Sequence, residues 1–135
     1  MSGRTPVVTG SAGMARLAVI RIAMLAGVLT FGGVAFFVRR GANPPALAAD
    51  TSVLQLAGSL IWAVAIIGVL VLFMLLRGRD TPERRASFSI IGWALGEAVA
   101  LYGAVFLYLT GDAQWFLMGL TAQLLTFFIF PLRRR

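Results

Sequence analysis

Four uninterrupted apolar runs, at about 17–38, 53–76, 88–109 and 115–132, limit what this chain can fold into more than any other feature. Each approaches the ~20 residues that a helix needs to cross ~30 Å of hydrocarbon. Lipid offers the backbone no hydrogen bonds, so only helices and closed barrels span it, and barrel strands would alternate where these runs do not. At 59% hydrophobic and 13% charged, a 135-residue chain also has too little polar surface to cover a water-soluble globule. The expectation is an all-α polytopic membrane protein: a single domain of four transmembrane helices in an up-down bundle, with a cytoplasmic loop at 77–87.

The residues between the runs fit helix ends. Asp50-Thr51-Ser52 offers capping oxygens to the second helix. Asp80-Thr81-Pro82 supplies a cap followed by proline at the first helical position, and Gly111-Asp112 closes the third helix and caps the fourth. So short a link makes the third and fourth spans an antiparallel hairpin. The first loop, with Pro44-Pro45, is the longest and is expected to be extended. Ala46-Leu47-Ala48 resembles a signal-peptide cleavage site. The run before it exceeds the 7–15 residues of a signal core and Arg39-Arg40 intervenes, so the first span is expected to be retained.

All twelve basic residues are arginines. Arg4, Arg16, Arg21, Arg77, Arg79, Arg84, Arg85, Arg133, Arg134 and Arg135 fall on one side of the expected bundle and Arg39 and Arg40 on the other, which places both termini in the cytoplasm of a bacterial inner membrane. Tyr108 and Trp115 then mark the outer interface. The net charge of +7 flanks apolar runs, so anionic lipid is the expected partner in place of nucleic acid. With no cysteine and no histidine, the chain lacks thiolate and imidazole chemistry. No metal, cofactor or enzymatic activity is expected.

Polar residues inside the runs are the candidates for function. Glu97 lies near the middle of the third, where a carboxylate is expensive unless neutral, paired or in use. It borders a stripe of small residues, Gly92, Gly96, Ala100, Gly103 and Ala104, that would let another helix approach closely. Gln123 and Thr30 share its depth, and a midplane cluster of Glu97, Gln123 and Thr30 would satisfy all three. Thr30 lies on a small-residue face with Ala23, Ala26, Gly27 and Gly33. If that face packs inward, Arg21 points to lipid, reaching the headgroups as Arg84, Arg85 and Arg133 to Arg135 do. The cluster reads as interhelical glue, as a proton or cation carrier, or as a site for a cationic ligand or lipid.

From Arg77 to Leu109 the chain reads Arg-Gly-Arg-Asp-Thr-Pro-Glu, then an apolar helix holding Leu95-Gly96-Glu97-Ala98 and Leu101-Tyr102-Gly103. This segment resembles the second helix of the proteolipid (c) subunit of rotary ATP synthases. The resemblance implies that Glu97 binds and releases a proton. It covers about a quarter of the chain, and the preceding helix has only Gly58 and Gly68 where that family has a dense glycine repeat. Four short helices with a membrane glutamate also resemble small multidrug transporters, whose acid is in the first helix, where this chain has none. The leading expectation is a non-catalytic accessory or structural subunit of a larger membrane complex, respiratory, rotary or photosynthetic. The alternatives are a proteolipid-like translocator using Glu97, a homo-oligomer among them, and a small multidrug-type transporter.

Overall fold

The computed structural model describes residues 11–41, 51–78 and 81–131. They form four helices: α1 (Ser11–Arg40), α2 (Ser52–Leu76), α3 (Pro82–Thr110) and α4 (Gln114–Ile129). The first three are long and apolar enough to cross a membrane. α1 and α3 extend well beyond the runs that announced them. α4 is shorter than expected. Its 16 residues cover about 24 Å at the standard rise. Its end has a local cause, because Pro131 disfavours helical geometry at Phe130, which adopts φ −112° and ψ 70°.

Capping follows the sequence at one helix and departs from it at another. Thr81 begins α3 in extended geometry, its hydroxyl accepting from the Arg84 N–H at 3.5 Å, with Pro82 in the first turn. Thr51 precedes α2 with a helical backbone and makes no side-chain cap. Asp50, Asp80, Pro44-Pro45 and Ala46 to Ala48 lie outside the described residues. Gly111 ends α3 at φ 81°, a left-handed position that favours glycine, and its N–H donates to the Leu107 carbonyl at 2.8 Å. Asp112 then accepts from the Gln114 N–H at 2.8 Å, satisfying an otherwise unpaired donor of α4.

α3 is the hub: α1, α2 and α4 all pack on it. Gly92 faces Phe130, Gly96 faces Gln123 and Thr126, and Gly103 faces Trp115 and Phe116, so α4 runs antiparallel to α3. α2 is also antiparallel, with Gly58 against Tyr102 and Gly68 against Leu95. α1 runs parallel, Arg21 lying near Trp93 and Arg39 near Gly111. The main core sits at the end where α1 and α3 begin. There Leu72, Trp93, Phe127 and Phe130 are buried, with Leu17, Met24 and Leu25 of α1 packed around them. At the opposite end Trp115 packs on Phe106 and Tyr102.

Candidate functional site

All five residues of the α3 stripe are buried: Gly92, Gly96, Ala100, Gly103 and Ala104. A methyl group at Gly103 would stand 2.5 Å from the Trp115 carbonyl oxygen and 2.6 Å from the Phe116 Cα. One at Gly119 of α4 would stand 2.7 Å from the Ala100 Cα. Two backbones therefore touch along this seam, the close approach that small residues permit.

The seam fixes Gln123. It is 0% exposed on the inner face of α4, and its backbone carbonyl accepts from the Thr126 hydroxyl at 2.7 Å. Neither its amide nitrogen nor its side-chain oxygen has a hydrogen-bond partner among the described residues. Glu97 is half-buried one position beyond Gly96, which itself meets Gln123, so acid and amide sit at one level of the bundle. Glu97 lies about 40° around α3 from the buried Trp93. It stands at the margin of the face bearing Ile91, Ala94, Ala98, Val105 and Tyr108, all exposed.

Thr30 does not join them. α1 presents Arg21, Met24, Leu25, Val28, Gly32 and Ala35 to its neighbours, while Ala23, Ala26, Gly27 and Thr30 are exposed. The small-residue face expected to pack inward is the outer face. Bulk explains the reversal: α4 offers Phe116 and Phe127, and large rings are received by Gly32 and by the Arg21 and Val28 side. Glu97, Gln123 and Thr30 are consequently not linked by hydrogen bonds.

The same rotation relocates Arg21. Half-buried, its guanidinium lies 4.4 Å from the centroid of the Phe127 ring and 5.9 Å from that of Trp93, a cation–π arrangement on two rings. It makes no ion pair with Glu97. Arg84 and Arg85 are exposed at the start of α3, and Arg40 and Arg77 lie over Phe36 and Phe73. Arg4, Arg79, Arg133, Arg134 and Arg135 lie outside the described residues.

Aromatic hydrogen bonds are what the sequence reading missed. Trp93, 0% exposed, donates from its indole N–H to the Phe130 carbonyl at 3.2 Å, and the Tyr102 hydroxyl donates to the Leu54 carbonyl. Both rings flank the small stripe, and buried tryptophan and tyrosine need acceptors, so helix-wheel position was the available signal. Among the described residues no group of three or more Asp, Glu, His or Cys side chains could hold a metal. The chain matches no protein-family model, and neither the curated proteins nor the solved structures contain a match to it.

Proposed function

We propose that this chain is a small integral membrane protein, four helices with both termini in the cytoplasm of a bacterial inner membrane, serving as a non-catalytic accessory subunit of a larger membrane complex. The observation that supports this most is the uncovered face of α3. A hub helix with neighbours on its other sides leaves Ile91, Ala94, Ala98 and Val105 exposed, with Glu97 at their margin. Alanines at 94 and 98 let a foreign helix come close, and the carboxyl group gives that helix something to hydrogen-bond. The orientation rests on the arginines: Arg16, Arg21, Arg77, Arg84 and Arg85 gather at the end of the bundle opposite Arg39 and Arg40.

Gentle solubilisation of native membranes, followed by mass spectrometry of whatever co-migrates with the chain at high molecular mass, tests the proposal. A stoichiometric integral membrane partner, lost on Ala98→Phe, is the expected result. A chain that always runs as a monomer, with nothing attached, sinks it.

A second reading has its own support. Glu97 is half-buried and has no ion-pair partner among the described residues, and it sits on a helix resembling the ion-binding helix of rotary proteolipids. A carboxyl group so placed can take up and release a proton as its surroundings alternate. This reading expects pH-driven flux in vesicles containing the purified chain, abolished by Glu97→Gln; vesicles without flux above the empty control remove it.

A further inference from the structure

Arg21 heads a groove of about 230 Å³ between α1 and α4, walled by Ile22, Leu25, Leu124, Phe127 and Phe128. The rings of Phe127 and Trp93 hold the guanidinium, and no acidic side chain among the described residues pairs with it. Aromatic rings cannot accept all five guanidinium N–H groups, and the remaining ones suit the oxygens of phosphate.

α4 also ends close to Arg21. α4 stops at Ile129, under one turn beyond Phe127, whereas α1 and α3 run on past that level for roughly 15 Å. Past that level α4 therefore supplies no helical wall to the groove. Arg16, Arg84 and Arg85, exposed at the same end, add long-range attraction for anions.

We infer that this groove binds one anionic glycerophospholipid, its phosphate on Arg21 and an acyl chain along Ile22, Leu25, Leu124 and Phe128. The site rests on the membrane reading above and deepens it by naming a lipid class.

The test reconstitutes the full chain into vesicles of equimolar phosphatidylglycerol and phosphatidylcholine with matched acyl chains. Vesicle flotation is scored first, then lipid retained after mild extraction is counted by native mass spectrometry. The wild type should keep phosphatidylglycerol preferentially. Arg21→Gln should lower that preference about fivefold, the worth of one arginine near an anionic surface. Arg21→Lys should retain part of it, and Leu124→Trp, which fills the groove without touching the charge, should displace the lipid. Equal retention of the two lipids by the wild type, an Arg21→Gln variant that floats yet keeps the preference, or a dimer seated through this groove overturns the site. Failure of the wild type to float at all overturns the membrane reading instead.

Discussion

Glycines in this chain differ in what opposes them, and that difference orders the effects of substitution. At Gly103 and Gly119 the obstacle is backbone, which cannot turn aside, whereas at Gly58 it is the outer ring atoms of Tyr102 and Trp115. Gly103→Ala and Gly119→Ala are expected to destabilise the protein by about 1–3 kcal/mol, as overpacking does, and Gly58→Ala by less. Denaturant titration in mixed micelles, followed by tryptophan fluorescence, measures the order. Trp93→Phe should cost about 1 kcal/mol in the same assay, because it orphans the Phe130 carbonyl. At this scale the sequence was informative about small residues and poor about polar ones. Spacing alone places Gly96, Ala100 and Gly103 on one stripe. Whether Thr30 or Arg21 faces inward depends on which side of α1 meets the rings of Phe116 and Phe127, and no periodicity in α1 records that.

Among elements, α3 and α4 form the tightest pair, joined by three residues and a continuous backbone seam. α2 is held more loosely, by ring contacts at Gly58, a leucine at Gly68 and the Tyr102 hydroxyl on Leu54. Hydrogen exchange in detergent should accordingly find the amides of α3 most protected and those of α2 exchanging soonest. Tyr102→Phe should speed exchange further in α2 while leaving α4 unchanged. Helix existence was legible because apolar runs of this length admit few alternatives, and the α3–α4 hairpin because a Gly111-Asp112 turn allows no other geometry. The early end of α4 was written in Pro131, a residue whose effect falls on its predecessor and is easily lost inside an apolar run. Lateral arrangement was not legible: nothing in four similar runs says which one lies in the middle.

For the whole molecule, the proposed orientation makes a direct prediction. The chain has no cysteine, so single cysteines report without background. Ser87→Cys should react with a membrane-impermeant thiol reagent only after the cytoplasmic side is exposed, and Asp112→Cys should react from the outer side in intact cells. The reverse pattern would invert the arginine argument. Centrality of α3 also bears on how the chain is made. Its hub leaves the ribosome after α1 and α2, which make little backbone contact with each other. On the membrane reading proposed above, each early helix satisfies its own backbone in lipid and can wait there without a tertiary partner. On that reading α1, α2 and α4 acquire their common arrangement late in synthesis, when α3 arrives between α1 and α2 and α4 folds back to close the seam; a nascent chain halted before α3 would hold α1 and α2 without the helix that joins them.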